Sequence, residues 1–271
     1  MMANTMTTPG ENKSFSSGYV KVGPLSMYYE LRGKGFPIVL IHGGGSTIET
    51  SFGSILDSLA LHRQVIAVEL QAHGHTPDID RPTSFEQDAD DVAALLDHLG
   101  LKQADIFGFS NGGNTAIQIA NRHPSIIRKL ILASTFYKRN AFHPSFFEGL
   151  EKATLKDMPE VYAVAFKKIT PDNEGLQKMF DRDRNRMLAF KDWPDSFLTS
   201  IKAPTLILNG DQDVVMPEHA AEMYRLIPHC RLAIFPGGHG DYMGEILALQ
   251  KSYKYSDFCV YLIEQFLNED L

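Results

Sequence analysis

The chain has 271 residues, 44% hydrophobic and 22% charged, a balance that excludes a disordered, collagenous or low-complexity scaffold. Its 26 Lys and Arg against 33 Asp and Glu give a net charge of -7, so the concentrated basic face of a duplex-binding domain is not expected and nucleic acid is not a predicted partner. Two cysteines, Cys230 and Cys259, are too few for a disulfide framework and read as free thiols in a reducing compartment.

Residues 1–18 are polar, carry Pro9 and Gly10, lack the apolar run of a signal peptide and read as a flexible leader. No segment reaches the ~18 apolar residues of a membrane span, so a soluble, cytoplasmic protein is expected. Residues 19–22 and 25–31 flank Gly23-Pro24 with period-2 alternation and predict a β-hairpin. Short apolar runs follow at 37–41, 65–68, 104–109, 130–133, 205–208 and 232–235. Runs of this kind are typical of parallel strands buried on both faces. Helical periodicity falls between them. The clearest stretch is 84–99, where Ser84 and Gln87 have capping-box spacing and Gly100 supplies the stop. Further helices are predicted at 111–122, 216–226 and 258–267.

Alternating strands and helices imply βαβ units: an α/β fold with a mostly parallel eight-stranded sheet, helices on both faces and an antiparallel hairpin edge. Residues 137–200 contain no convincing strand and are too long for a simple connection. They read as a helical cap inserted into a core formed by 19–136 and 201–271. Within the cap, Arg182-Asp183-Arg184-Asn185-Arg186 interleaves bases with acids and reads as a solvated helix face.

The strongest chemical signal is Gly108-Phe109-Ser110-Asn111-Gly112-Gly113. It follows a predicted strand and opens a predicted helix, the setting a nucleophile elbow requires. Glycines at 108 and 112 relieve crowding around the sharp turn, which leaves the Ser110 hydroxyl at a helix N-terminus. A serine hydroxyl needs a base to take its proton. His239, in Gly237-Gly238-His239-Gly240, sits on the loop after the last predicted strand. The imidazole in turn needs a carboxylate, and two candidates, Asp211 and Asp213, follow the strand at 205–208.

On these residues the chain resembles the α/β-hydrolase superfamily, in particular its serine esterase and lipase-like members with a helical cap, from about residue 19 to the C-terminus. The matching marks are His42-Gly43-Gly44, the Ala72-His73-Gly74-His75-Thr76 loop, the elbow at Ser110, Gly210-x-x-Asp213-x-x-x-Pro217, and Gly238-His239 with Glu245 downstream. The resemblance implies the α/β-hydrolase fold and a triad of Ser110, Asp213 and His239. Asp213 is preferred because the family's acid falls three residues after the glycine; Asp211 is the alternative. It also implies an oxyanion hole formed by the backbone N–H groups of Gly44 and Asn111, with Gly43 and Gly45 left open as donors. The loop after the fourth strand departs from the usual Asp-x-x-Gly-x-Gly-x-Ser. His73, His75 and Asp78 lack a further histidine and are not read as a metal site. Residues 246–254 are longer than usual before the last helix, and either line the pocket mouth or form a surface insertion.

The expected chemistry is acyl transfer through an acyl-enzyme, with no cofactor or metal. The expected partner is a small-molecule ester, and a homodimer is left open. Phe136, Phe142, Phe146, Phe166 and Trp193 are candidates for an apolar roof over Ser110, suited to a small or medium ester or lactone. A carbon–carbon bond hydrolase of ring-cleavage products uses the same triad. It needs polar groups for a dienoate, for which the cap offers Lys138, Arg139 and Asn140. A low-turnover ligand-binding protein of the same fold is the third reading.

Overall fold

The computed structural model describes residues 15–251 and 255–270. In β3 (Pro37–Ile41), Val39 and Ile41 pack into one apolar cluster and Ile38 and Leu40 into another. The alternation repeats in β5 (Ala104–Phe109), with Ile106 opposite Phe107, and in β6 (Ile127–Ala133), with Leu130 and Leu132 opposite Ile131 and Ala133. Because successive side chains leave a strand on opposite faces, a run apolar at every position needs cover on both sides. Helices α3 (Phe85–His98), α4 (Asn111–Arg122) and α9 (Pro217–Leu226) supply it on one face. On the other lie α1 (Ile48–Phe52), α2 (Leu56–Ala60) and α10 (Ser256–Asn268).

The remaining strands are β1 (Phe15–Val22), β2 (Leu25–Arg32), β4 (Gln64–Glu69), β7 (Thr205–Gly210) and β8 (Cys230–Phe235). The single eight-stranded sheet runs β1-β2-β4-β3-β5-β6-β7-β8. The β1–β2 and β2–β4 pairings are antiparallel and the rest parallel, as the apolar runs and the early hairpin lead one to expect. β1 starts at Phe15, opposite Arg32, so residues 15–18 belong to the hairpin rather than to the leader; the rest of the leader lies outside the described residues. Two short helices, α1 and α2, were not anticipated. The capping box at α3 is half formed: the Ser84 side chain accepts from Gln87 N, but the Gln87 amide donates to Asp91 instead of returning to the cap.

Residues 137–200 contain helices α5 (Ser145–Lys152), α6 (Glu160–Ile169), α7 (Asn173–Ala189) and α8 (Ser196–Thr199), and no strand. The basic stretch of α7 is not a solvated face. Asp183 and Arg186 lie one helical turn apart and face the core, where Arg186 pairs with the buried Asp88 at 2.6 Å. Arg182 pairs with Asp78 at 3.0 Å, and Arg184 binds the Leu150 carbonyl at 2.9 Å. Both cysteines are free, Cys259 buried in the core. Among the described residues no helix is long and apolar enough to cross a membrane.

Candidate active site

Ser110, the glycine loop after β3 and the loops carrying Asp213 and His239 all follow the C-terminal ends of parallel strands. Ser110 sits between β5 and α4 with φ 53° and ψ -122°, a sparsely populated conformation for a residue with a side chain, costing on the order of 1–3 kcal/mol. Neighbouring glycines make the turn sterically accessible. A methyl group on Gly112 would lie 2.1 Å from the Ile41 carbonyl oxygen, and one on Gly108 would lie 2.2 Å from that of Gly112. Ser110 is thereby left half-buried at the start of a twelve-residue helix.

His239 lies on the loop after β8. Its ring packs against Phe109, the residue before the serine, with centroids 4.8 Å apart. Nδ1 of His239 is 2.7 Å from Asp213 Oδ1. A carboxylate can only accept, so Nδ1 carries a proton, and in the neutral ring Nε2 holds the lone pair. Asp213 is fixed on its remaining sides: Val215 N–H donates to Oδ1 at 3.1 Å, and the Ser134 hydroxyl donates to Oδ2 at 2.5 Å. Tyr242, fully buried, lies 2.8 Å from Ser134 Oγ. With the serine proton committed to Asp213, the phenol is the donor. Ser134 itself has φ 50°, so a second strained serine aims its hydroxyl at the acid. Asp211 turns the other way and accepts the Gly237 N–H at 2.8 Å.

Burial opposes ionisation of both members of the Asp213–His239 pair, but their mutual attraction outweighs it. The Asp213 carboxyl is held below its ordinary range, helped by Ser134 and Val215, and the His239 imidazole above its own. Among the described residues no hydrogen bond joins the Ser110 hydroxyl to the imidazole. Nucleophile–base contacts often tighten only once substrate is seated.

The glycine loop after β3 borders the serine: a methyl on Gly43 would lie 3.3 Å from Ser110 Cβ. Gly43 N–H donates to Ser51 Oγ at 3.2 Å, and Gly45 N–H to Asp183 Oδ2 at 2.5 Å. Among the described residues the backbone N–H groups of Gly44 and Asn111 have no partner. His42 orients the Gly44 group. Its Nε2 accepts from Leu70 N at 3.0 Å, so the ring proton is on Nδ1, which donates to the Gly43 carbonyl at 2.7 Å. Because the peptide unit is planar and trans, fixing the Gly43 carbonyl fixes the Gly44 N–H on its opposite side. The His42 ring is wholly buried, and burial pushes it down to about 3, so it stays neutral.

The aromatic candidates divide. Phe142 pairs with Val215 across an isolated bridge, two residues from Asp213, and stacks on Phe146 with centroids 4.3 Å apart. Phe136 packs edge-on against Phe142 at 4.8 Å. Phe166 of α6 is buried with Leu176 and Met179 of α7. Trp193 packs on Phe85 and lines a cleft of about 300 Å³ between the end of α7 and the start of α3. From α6, Tyr162 donates to the buried Glu245 at 2.6 Å. Of residues 246–254, 246–250 form a 3₁₀ turn beginning at Glu245, whose side chain accepts the Leu247 N–H; 252–254 lie outside the described residues. His73 pairs with Asp183 and His75 with Glu69. Ser134 and Tyr242 carry no local sequence signal, and the His42-Gly43-Gly44 mark and the 182–186 stretch do not reveal what His42 and Asp183 touch, because each acts through a partner distant in the chain or through the backbone.

The chain has the α/β-hydrolase fold. The sequence model of the alpha/beta hydrolase fold matches residues 37–168. Human serine hydrolase BPHL is 28% identical over 246 residues, covering 83% of this chain and 80% of that protein. A pimeloyl-[acyl-carrier protein] methyl ester esterase of Neisseria meningitidis is 28% identical over 241 residues, covering 80% of this chain and 75% of its own length. Among solved structures, the 2-hydroxy-6-oxo-6-phenylhexa-2,4-dienoate hydrolase of Rhodococcus sp. strain RHA1 shares the fold with a TM-score of 0.77 at 18% identity, covering 94% of this chain and 99% of that one. BPHL and the methyl ester esterase are named as hydrolases, and the chain is similar to both over most of its length.

Proposed function

We propose that the protein is a serine hydrolase of carboxylic esters, acting on small to medium esters or lactones with an apolar acyl or aryl group. In this reading Ser110 attacks the ester carbonyl carbon and its proton passes to Nε2 of His239. The carbonyl oxygen, now negative, accepts hydrogen bonds from Gly44 and Asn111. The C–O bond breaks, the alcohol leaves with the proton from His239, and an acyl-Ser110 ester remains. Water, deprotonated by the same imidazole, attacks that ester; the acyl–oxygen bond to Ser110 breaks, the proton returns from His239 to Ser110 Oγ, and the acid is released. Asp213 stays ionised throughout, holding the tautomer and the imidazolium.

The observation that carries the reading is the pair of N–H groups beside Ser110, those of Gly44 and Asn111, that have no partner among the described residues, while the Gly43 and Gly45 N–H groups flanking Gly44 are engaged. Preorganised donors of this kind stabilise an oxyanion and serve little purpose in a protein that only binds a ligand. The similarity to a methyl ester esterase supports an ester as the substrate class.

Cleavage of a carbon–carbon bond draws less support. Lys138 pairs with Asp195 at 2.7 Å and Glu222 at 3.1 Å. Arg139 holds the Leu188 and Phe190 carbonyls and stacks on Phe147. Both cations offered for a dienoate carboxylate are thus committed elsewhere. The test is hydrolysis of p-nitrophenyl acetate and butyrate beside a vinylogous diketone acid, by wild type and Ser110→Ala. Ester turnover lost in the variant is expected; turnover of the diketone alone would move the assignment to the second class.

A further inference from the structure

Helix α7 of the cap reaches the oxyanion loop directly. Asp183 Oδ2 accepts Gly45 N–H at 2.5 Å and lies 2.8 Å from His73 Nε2. The other nitrogen of His73 is 2.9 Å from the Gln71 carbonyl. Both ring nitrogens therefore face acceptors, which a doubly protonated imidazolium satisfies and a neutral ring does not. Asp183 Oδ1 accepts from Arg186, which continues to Asp88 Oδ2 of α3 at 2.6 Å. An alternating row of carboxylate, guanidinium, carboxylate and imidazolium thus runs from the core through the cap to Gly45.

Three consecutive glycines have no side chains to restrict their backbone, so the orientation of Gly44 N–H depends on hydrogen bonds to the two peptide units that flank Gly44. The first unit is held from the core by His42, through the Gly43 carbonyl. The second is held from the cap by Asp183, through Gly45 N–H; Ser46 Oγ lies 3.3 Å from its carbonyl. A methyl on Gly44 would lie 3.2 Å from Asp183 Oδ2, which puts the carboxylate beside the donor it steadies. With Asp183 on Gly45 and Ser51 on Gly43, Gly44 is the one amide of the three glycines without a partner among the described residues.

We infer that Asp183 is a positioning residue for ester hydrolysis: it holds the oxyanion loop in its active shape, so the oxyanion hole is complete only while the cap is seated. The inference rests on the Ser110 ester-hydrolase reading. It differs from a purely structural tie between cap and core, because such a tie would stabilise the fold without selectively favouring the transition state.

The experiment compares Asp183→Ala, Asp183→Asn and Asp88→Asn in the full chain. Asp88 touches the far end of the same charged row and makes no contact with the loop. Thermal midpoints, kcat and KM for p-nitrophenyl butyrate are measured, with Ki for an aryl trifluoromethyl ketone, whose Ser110 adduct carries a negative oxygen. Asp183→Ala is expected to lower kcat by up to about 10²-fold, the scale of one oxyanion donor, with KM little changed and Ki raised in parallel with the loss in kcat/KM. Asp183→Asn, which keeps one acceptor for Gly45, recovers part of the rate. Asp88→Asn lowers the thermal midpoint but keeps kcat near wild type. Equal kcat losses in the Asp88 and Asp183 variants, or a folded Asp183→Ala with wild-type kcat, overturn the inference. If Asp183→Ala does not fold, Asp183→Asn and Asp88→Asn are compared alone, and equal kcat values overturn it. Wild-type turnover and its loss in Ser110→Ala, in the same assay, test the underlying reading separately.

Discussion

Asp213 Oδ1 lies 2.7 Å from His239 Nδ1, while Asp211, two residues earlier, binds the backbone of Gly237. The two aspartates differ in what they touch, and their substitution should separate them. Asp213→Asn removes the acceptor that selects the working tautomer and is expected to lower kcat by about 10⁴-fold, the scale seen when a triad acid is amidated. Asp211→Asn still offers an oxygen to Gly237 and should leave kcat close to wild type. Steady-state kinetics of both variants on p-nitrophenyl butyrate checks this.

The pH profile follows from the same pair. His239 acts as base only when neutral, so kcat/KM rises with pH as the imidazolium loses its proton. Asp213 stabilises the charged ring and raises its pKa, so the midpoint of the rise should lie above the ordinary value of about 6.5. In Asp213→Asn that stabilisation is gone, and the residual activity should titrate at lower pH. A profile flat from pH 5 to 8, or a midpoint that does not fall in the variant, contradicts the assignment of His239 as base.

Ser134 and Tyr242 hold the far oxygen of the acid through a relay from phenol to hydroxyl to carboxylate. Ser134→Ala removes a hydrogen bond to a charged group, of about 1.5–3 kcal/mol, and kcat is expected to fall about ten- to a hundredfold. Tyr242→Phe acts only through Ser134 and should cost less. With Ser134 already replaced by alanine, the tyrosine substitution should add almost nothing. A double-mutant cycle in kcat reads this coupling.

At the elbow, Gly112→Ala would drive a methyl group to 2.1 Å from the Ile41 carbonyl oxygen, a backbone atom that cannot turn aside. Loss of the folded state, or a large fall in the thermal midpoint, is expected. Circular dichroism on heating provides the measurement.

Much of this architecture is legible in local sequence because its causes are local. Each central strand is apolar on both faces, and Gly108 and Gly112 announce a turn only they can make. Gly210 and Pro217 bracket Asp213 at a fixed spacing. What escaped was decided at long range or in very short elements. Helices α1 and α2 have five residues each, too few for periodicity to register. Ser134 shows no local sign that Asp213, 79 residues on, will meet it. The charges at 182–186 have the composition of a solvated surface. Only the packing of α7 against Asp88 and His73 reveals them as a buried seam, because composition does not say which face a helix turns inward. Gln87 had the spacing to complete a capping box, but Asp91, one turn further along α3, took its amide.

The central claim is that the hydroxyl of Ser110 is an activated nucleophile, brought to reactivity by an imidazole 129 positions later. Intact-protein mass spectrometry after treatment with a fluorophosphonate probe tests it directly. Wild type should gain one adduct, on the peptide containing Ser110, and Ser110→Ala and His239→Ala should gain none. A wild-type protein that stays unlabelled, or an adduct that persists in Ser110→Ala, would contradict it.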